Sequence, residues 1–393
     1  MSVRLIPELT DEQRMFADAV VRVMESGCPL SAVREHAERG EPGDPALRRK
    51  LADLGCFGLL VAEERGGGSL SGNGVADAAI VAAERGARLQ PGPFVGTAVA
   101  AYTLGEAGTE RAHHMALDAL VAGASAATWA ADGVLGSARP GLTVHETADG
   151  FVLSGTVRAV QDADECDTLL VTTRTGDTVR HFLLDRTADG LPGLSATRTE
   201  SLDVTRRFHD LRFDAVRVPA AARLGSPAGR GATAGLLDRQ IALAAVLSAA
   251  ESVGAMDADF ALAVDYAKTR IAFGRPIGSF QGLKHTLANT GLMLEMCKGL
   301  VAGAAGALGS GAPDGAAMAQ MARAFVSERA VELAHNCFQV FGGIGYTWEH
   351  DQHLFLRRLA AEAHQFGAPA WFRARLWGQA VSGGHTTERT ADV

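Results

Sequence analysis

The polar residues best suited to binding a ligand lie in the last third of the chain. Arg270 carries a guanidinium that stays charged at any physiological pH. Gly342 and Gly343 have no side chains, so their backbone N–H groups can approach phosphate oxygens or an adenine ring closely. Gln281 and Gln339 add amide donors and acceptors. These types suit a dinucleotide, although the same residues could be a solvated charge at a helix end and a glycine cap.

Composition excludes several classes of protein. The chain has 393 residues, of which 47% are hydrophobic and 21% charged, as in a globular protein of two or three domains. The net charge is -8 and no basic block occurs, so no nucleic-acid partner is expected. The most apolar stretches, such as 241–250, are about half of the roughly 20 residues that a membrane span requires.

The cysteines and the N-terminus indicate in which cellular compartment the protein is expected. Five widely spaced cysteines without a C-x-x-C pattern argue against a disulfide framework and favour a reducing cytoplasm. The first residues lack an apolar run, so no signal peptide is expected. We therefore expect a soluble, cytoplasmic protein. No Ser/His/Asp or Cys/His arrangement stands out, and the Gly66–Ser69 run lacks the lysine of a phosphate-binding loop, so we predict a turn there.

Hydrophobic periodicity predicts helices, then strands, then helices again, an α+β fold. Residues 8 to about 127 are predicted to be helical, starting at Thr10 as a helix cap. Short runs rich in Val, Leu, Phe and Thr predict strands at 151–153, 168–173, 181–184 and 207–213. Further helices are predicted at 236–267, 280–309, 316–341 and 352–379. The predicted domains are 1–127 (helical), 128–229 (barrel-like, of strands) and 230–381 (a four-helix bundle), followed by a disordered tail at 382–393.

Two segments of the last domain resemble the signatures of the acyl-CoA dehydrogenase family. They are YAKTRIAFGRPIGSFQGLKHTLAN at 266–289 and QVFGGIGYTWEHDQHLFLRR at 339–358. LTDEQRMFADAV near the start, LADLGCFGLLVAEERGGG at 51–68 and VRVPAAARLG at 216–225 are similar to family segments as well. The resemblance covers nearly the whole chain, with the motifs in the family order. It implies an N-terminal helical domain, a middle β domain and a C-terminal helical bundle, with FAD as cofactor and an acyl-CoA thioester as substrate.

The resemblance also assigns roles to individual residues. In the family, the residues corresponding to Arg270, Phe273, Gln281, Gln339 and Gly343 contact the FAD of the neighbouring subunit across a dimer interface, and Gly342 lies beside them. The family pattern explains E-H-D-x-H at 349–353 as a helix start, so no metal site is predicted there.

The half-site that would hold the chain's own flavin departs from the family pattern. ATWAADGVLGSARPG, at 127–141, replaces the family's T-E-P-x-x-G-S-D loop. In the following strand Ala159 occupies the family's tryptophan position, and Gln161 occupies the serine or threonine position. An aromatic ring can stack on flavin and a hydroxyl can bond its edge, whereas alanine does neither.

The catalytic base is also missing from the expected positions. The family reaction needs a carboxylate within hydrogen-bond reach of the proton on the thioester α-carbon. The resemblance places that position at Phe366, before Gly367, or alternatively near Ala244 on the first C-terminal helix. Glu251 is a fallback on that helix, although a buried glutamate with a structural partner is the favoured interpretation. Glu362 and His364 lie near Phe366 but are aimed differently on a helix.

This combination of retained and lost residues resembles the partner chains of bacterial heterotetrameric acyl-CoA dehydrogenases, notably those acting on steroid side-chain CoA thioesters. In those α2β2 assemblies one chain type carries the flavin pocket and the base, and the other completes the cofactor site. We predict that this chain is the partner without the base. Two alternatives stay open: a self-sufficient homotetrameric dehydrogenase or same-fold flavin monooxygenase, and a structural paralogue that binds no flavin.

Overall fold

Helices form the first and last parts of the chain, and strands form the middle. The computed structural model describes residues 3, 5–6, 9–131, 135–136, 141–186, 191–225 and 230–387, with backbone alone at 230–234 and 382–387. The first strand begins at Ala127, and the first helix after the strands begins at Arg230. The helix, strand and helix order of the predicted α+β fold is confirmed.

The described part of the N-terminal region contains six α-helices, and the first has the predicted cap. The Thr10 hydroxyl accepts a hydrogen bond from the Gln13 backbone, and the Gln13 side chain accepts one from the Thr10 backbone. The predicted turn at Gly66 follows a short 3-10 helix. The six helices are α1 (Asp11–Gly27), α2 (Leu30–Arg39), α3 (Pro45–Asp53), α4 (Gly74–Ala87), α5 (Val95–Ala107) and α6 (Arg111–Val121).

Two four-stranded sheets form the middle region around a shared apolar core. The strands are β1 (Ala127–Ala131), β2 (Leu142–Thr147), β3 (Gly150–Gln161), β4 (Thr168–Thr175), β5 (Thr178–Asp185), β6 (Leu194–Thr199), β7 (Phe208–Pro219) and β8 (Arg223–Leu224). One sheet has the order β1-β4-β5-β8 and the other β2-β3-β7-β6. Phe151 of β3 packs on Phe182 of β5 across the core, with ring centroids 5.0 Å apart. The two sheets form the middle strand domain expected from the sequence.

Three long helices dominate the C-terminal region, close to their predicted positions. They are α7 (Arg230–Thr269), α8 (Gln281–Gly309) and α9 (Gly315–Phe341), and the small hairpin β9 (Ile271–Ala272) and β10 (Arg275–Pro276) joins the first two. Both α7 and α8 are long and apolar enough to cross a membrane, but the most apolar part of α7 is 89% buried inside the fold. That burial identifies α7 as the core helix of a soluble protein. In α8 the corresponding share is 33%, which leaves one apolar face exposed.

The prediction of a single last helix is wrong, because the structure has two helices in this segment. α10 (Gln352–Glu362) ends before a turn, and α11 (Pro369–Thr387) follows it. Phe366 and Gly367 have positive φ angles of 54° and 119°, which no α-helix contains. Pro369 occupies the first position of α11, where its missing N–H costs nothing. α11 continues into the tail predicted to be disordered, and residues 388–393 lie outside the described part of the chain.

Candidate active site

A cleft of about 400 Å³ opens between the middle strands and the turn after α10. It brings together Ala159 and Gln161 on β3 with Phe366 in the turn, which the sequence could relate only through the family resemblance. The full lining is Trp129, Ala131, Leu135, Val157, Arg158, Ala159, Val160, Gln161, Thr199, Glu200, Ser201, Phe208, Ala361, His364, Gln365, Phe366 and Gly367. Residues 132–134 and 137–140 of the divergent segment lie outside the described residues.

An aromatic pair occupies one wall of this cleft. The Phe366 ring stacks on the Trp129 ring with 6.1 Å between centroids and 18° between planes. A hydrogen bond fixes the Trp129 ring, because its Nε1–H donates to Thr172 Oγ1 at 2.9 Å. The hydroxyl of Thr172 in turn lies 3.0 Å from His181 Nδ1. The position expected for a base therefore carries an apolar ring in a fixed aromatic wall.

Phe366 is held in a conformation that is unfavourable for its residue type. A positive φ is an outlier for a bulky side chain and persists only where surrounding contacts impose it. Those contacts include the fully buried Arg323 on α9, whose Nη2 donates to the carbonyl oxygens of Glu362 and Gln365. A cation at the last carbonyls of a helix is favourable. Burial lowers the pKa of Arg323 to about 10, so it remains charged at neutral pH.

Glu251, the fallback base, lies outside the residues that line the cleft. Its side chain is 1% exposed, ion-pairs with Arg206 and lies 3.8 Å from an Arg358 nitrogen. Burial alone raises the pKa of the Glu251 carboxyl, but the guanidinium groups of Arg206, Arg358 and Arg85 outweigh it and lower the pKa overall. Glu251 is thus an anion that neutralises buried arginines. Ala244, the other alternative position, is fully buried in the helical core.

The ion pairs around Glu251 extend into a network that connects all three regions of the chain. Arg206, on the loop between β6 and β7, also bonds Glu362 of α10 at 2.7 Å. Asp203 of the same loop pairs with Arg358 at 2.7 Å, and Arg358 reaches the Leu89 carbonyl after α4. Burial and the neighbouring Glu251 anion raise the pKa of Glu362. We call Arg206, Glu251, Glu362, Asp203 and Arg358 the ionic network.

The ionic network lies directly beneath the cleft. Arg206 donates to Gln365 Oε1 at 3.2 Å, and the Gln365 amide donates to Gln161. Gln161 then donates to Asp162 at 2.8 Å. Both glutamines line the cleft, so its floor is fixed by charged groups behind it. The sequence analysis did not identify Trp129, Arg323 or Gln365, because no local pattern relates a strand to the end of a distant helix.

A carboxylate that the sequence analysis did not consider does line the cleft. Glu200 follows β6 and is exposed at the rim. It is the single carboxylate among the described lining residues. A proton acceptor is therefore present at the rim of the cleft, in the carboxylate of Glu200, whereas the rings of Phe366 and Trp129 cannot accept a proton.

The residues of the second predicted half-site lie on the surface. Phe273 is 95% exposed at the tip of the β9–β10 hairpin, and both Phe273 and Gly274 have positive φ angles, as in the tight turns of two-residue hairpins. Arg270 is also exposed, and no described residue pairs with its guanidinium. Gln281 is exposed at the start of α8. These groups have hydrogen-bonding capacity and exposed apolar surface that the described residues leave largely unused.

Gln339 and the two glycines lie close to this hairpin because two aromatic rings connect the segments. Tyr266, one turn before Arg270, packs against Phe341 with ring centroids 4.9 Å apart. Gln339 is exposed near the end of α9, and Gly342 and Gly343 follow in a short 3-10 helix. A Cβ built at either glycine meets nothing within 4 Å, so the backbone there is open to a ligand. The surface offers a cation, two amides and open backbone, which fit a diphosphate and an adenine ring.

His350 and His353, which flank Asp351, are separated by their packing partners. The His350 ring packs on Phe341 at 4.2 Å between centroids, and the His353 ring packs on Trp348 at 4.6 Å. Asp351 ion-pairs with Arg34. Within the described ranges, no three His, Cys, Asp or Glu side chains are grouped to hold a metal ion.

Known proteins are similar to this chain in sequence and fold. Residues 10–124 match the family described as acyl-CoA dehydrogenase, N-terminal domain, and residues 235–368 match acyl-CoA dehydrogenase, C-terminal domain. Acyl-CoA dehydrogenase IpdE2 of Mycobacterium tuberculosis is 31% identical over 367 residues, covering 93% of this chain and 96% of that protein. The protein of the same name from Mycolicibacterium smegmatis is 30% identical, covering 92% and 96%.

Two solved structures illustrate the similarity of fold. The structure of a Tcur3481-Tcur3483 steroid ACAD variant has a TM-score of 0.83 at 27% identity, covering 95% of this chain and 99% of the other. The ChsE4-ChsE5 complex from Mycobacterium tuberculosis has a TM-score of 0.84 at 23% identity, covering 95% and 98%, a likeness of fold. From its domains, its full-length relatives and its fold, the chain belongs to the acyl-CoA dehydrogenase family of oxidoreductases.

Proposed function

We propose that this chain is the subunit of a heteromeric acyl-CoA dehydrogenase that lacks the catalytic base and completes the FAD site of a homologous partner chain. The observation that carries the proposal is the contrast between its two half-sites. The cleft has Phe366 stacked on Trp129 where a base is expected. The surface half-site keeps Arg270, Gln281 and Gln339 exposed and available.

Each surface residue has a definite task toward a cofactor held mainly by the partner. Arg270 neutralises the diphosphate, because a guanidinium can bind phosphate oxygens at two points. Gln281 and Gln339 exchange hydrogen bonds with the adenine or the sugar, and Gly342 and Gly343 admit close backbone approach. Phe273 packs its exposed ring against the cofactor. When bound, FAD supplies the acceptor for the electrons removed from the acyl chain.

The chain's own cleft fits a flavin ring poorly. Ala159 offers no aromatic face, and the indole N–H of Trp129 is already bonded to Thr172. Family proteins need both a ring partner and a carboxylate base at this place, and neither is present in its usual position.

Relatives suggest the class of substrate and the place of action. One structurally similar protein at 27% identity is described as a steroid ACAD, which favours a bulky acyl-CoA of steroid or lipid origin. The five cysteines are widely spaced in the sequence and buried, which favours a reducing compartment. We propose that the complex acts in the cytoplasm, in a pathway of lipid degradation.

Flavin content tests the proposal directly. The chain is purified alone and together with a homologous chain that carries a glutamate at either base position, and visible flavin absorbance is compared with protein mass. We expect a colourless chain alone and one FAD per two chains in the complex. One FAD per chain in the isolated protein would contradict the proposal. Arg270→Ala should release flavin from the complex, and Arg275→Ala on the same hairpin serves as a control.

Glu200 favours a second candidate function. Since it is a carboxylate at the rim of the cleft, the chain could be a self-sufficient dehydrogenase with Glu200 as the base. In that case the isolated chain is yellow and oxidises an acyl-CoA, and Glu200→Gln abolishes turnover while flavin content is kept. Under the main proposal the same substitution leaves the activity of the complex unchanged.

A further inference from the structure

A hydrogen bond made by a buried glutamate joins the N-terminal helices to the strands, and none of the roles described so far uses it. Glu165 lies in the loop between β3 and β4, with its side chain 7% exposed. Its Oε2 accepts a hydrogen bond of 2.9 Å from the backbone N–H of Gly43, in the loop between α2 and α3. We call this hydrogen bond the Glu165 contact. It fixes the position of one loop against the other.

Two segments rich in proline and glycine enclose the Glu165 contact. Residues 42–45 read Pro-Gly-Asp-Pro, and residues 91–93 read Pro-Gly-Pro. A Cβ at Gly43 would lie 3.1 Å from both Glu165 Oε2 and Gly92 Cα, so the missing side chain permits this close approach. The cavity beside them is about 30 Å³, which is room for about one water molecule. Full hydration of the Glu165 carboxyl therefore requires that the segments separate.

Titratable groups surround Glu165, and most of them are acidic. Its own turn contains Asp162, which is 1% exposed, and the Glu165 backbone N–H donates to the Asp162 carbonyl at 3.0 Å. Two buried carboxyl groups in one turn cannot both ionise without a cost in free energy. The other titratable groups nearby are Asp164 and Asp167 of the same loop, Asp44 before α3, His209 of β7, and the thiols of Cys28 and Cys166. The loop therefore concentrates negative charge where water is largely excluded.

The cations around Glu165 are mostly engaged by other groups. Arg207, just before β7, lies 3.7 Å from Glu165 Oε1 but also ion-pairs with Asp164. Arg48 of α3 donates to a backbone carbonyl at 3.0 Å. Arg85 of α4 donates to two backbone carbonyls, at 3.0 and 2.8 Å. Among the described residues, Glu165 therefore has no cation to itself.

These surroundings favour the protonated form of Glu165. Burial raises the pKa of its carboxyl group to about 8, and the neighbouring Asp162 adds to that effect. The backbone N–H of the contact and the nearby arginines oppose the rise in pKa only in part. Asp162 also accepts a hydrogen bond of 2.8 Å from Gln161, which lines the cleft. A neighbour of Glu165 thus also fixes the floor of the cleft.

We propose that the Glu165 contact is pH-sensitive: while Glu165 carries a proton it holds the α2–α3 loop against the strands, and a rise in pH lets the loop separate so that the ionised carboxylate becomes hydrated. The closed form keeps its proton up to about pH 8, whereas a hydrated glutamate loses it near about pH 4.3. Separation therefore releases a proton between these two pH values. It becomes up to about tenfold more favourable per pH unit and levels off above about pH 8. This inference concerns a single chain and stands whether or not the proposed function holds.

Hydrogen exchange measures the separation directly. The isolated full-length chain is exchanged at several pH values from about 5.5 to about 9, and mass spectrometry follows the peptide that contains Gly43. The exchange rate is divided by the intrinsic rate at each pH, because exchange itself is catalysed by base. We expect the protection of this peptide to fall at least about tenfold between about pH 5.5 and about pH 7.5, and to level off above about pH 8. A peptide from the core of α7 reports global unfolding and should stay protected.

Two substitutions separate the proton on Glu165 from other causes. Glu165→Gln keeps the shape of the protonated carboxyl group and cannot ionise, so protection of the Gly43 peptide should be independent of pH. Glu41→Gln is the matched control, because Glu41 is exposed and lies 3.8 Å from Arg39, and this variant should follow the native pH profile. The inference is overturned if native protection does not change with pH, if Glu165→Gln keeps the native profile, or if the α7 peptide loses protection in parallel. The native profile and the α7 peptide decide on their own if Glu165→Gln does not fold.

Discussion

Glu251→Gln separates a structural glutamate from a catalytic one. Glutamine has nearly the same shape but no charge, so Arg206 and Arg358 keep only Glu362 and Asp203 as their anions. Removing one partner of a buried ion pair costs about 3–5 kcal/mol, because the remaining charge stays desolvated. Since each arginine retains one carboxylate, we expect a loss near the lower limit, about 3 kcal/mol.

The expected loss converts into a measurable temperature. An unfolding entropy of about 2.1 cal/mol/K per residue gives roughly 0.8 kcal/mol/K for 393 residues. A loss of about 3 kcal/mol therefore lowers Tm by about 4 °C. Scanning calorimetry of the isolated chain at fixed concentration measures this shift.

A matched control uses an ion pair on the surface. Glu328 pairs with Arg373, and both side chains are more than 40% exposed. Glu328→Gln should cost less than about 1 kcal/mol, because water screens exposed pairs. If Glu251→Gln lowers Tm no more than Glu328→Gln does, the ionic network does not contribute as described. Loss of turnover in the complex with Tm unchanged would identify Glu251 as the base instead.

Three further predictions concern stability and cofactor retention. Asp259 is fully buried. Burial raises the pKa of its carboxyl group well above the usual range, and the nearby Gln352 side chain opposes this only in part. The folded chain thus holds a proton that the unfolded chain releases above about pH 4, so stability falls as pH rises, and Asp259→Asn should raise Tm more at about pH 8 than at about pH 5. Phe273→Ala should leave the Tm of the isolated chain unchanged but speed the loss of flavin from the complex, which is measured after dilution. If the variant complex retains flavin as well as the native complex does, Phe273 does not contact the cofactor. A Cβ at Gly367 would lie 2.8 Å from the Trp371 ring, and the backbone there has a φ of 119°, so Gly367→Ala should lower Tm. Gly299 lies on α8 with open space around it, so Gly299→Ala should raise Tm slightly.

Periodicity and caps predicted most of the fold because those signals are local. The Thr10 cap lies where expected, and α8 and α9 each begin within a residue of the predicted start. The break after α10 was missed, although Gly367 followed by Pro369 is a recognisable stop signal. Apolar periodicity on both sides of the turn concealed it.

The candidate site was predictable only in part, for a physical reason. Resemblance placed Ala159 and Phe366 near one flavin site, and both line one cleft. The stack of Phe366 on Trp129 depends on a turn held by Arg323, more than 40 residues earlier in the chain. Arg206 and Glu251 are 45 residues apart. The sequence does not indicate which distant charged residue will pair with a given one, so the ionic network could be identified only from the structure.

The close succession of Glu362 and Phe366 has a consequence for how such a chain can change over time. The ion pairs of Arg358 and Glu362 connect α10 to the rest of the molecule, whereas Phe366, one turn later, contributes its side chain to a cleft that is open to solvent. A substitution at position 366 removes neither ion pair. The side chain at position 366 can therefore vary, and with it the character of the cleft, while the ion pairs that hold α10 in the fold are kept.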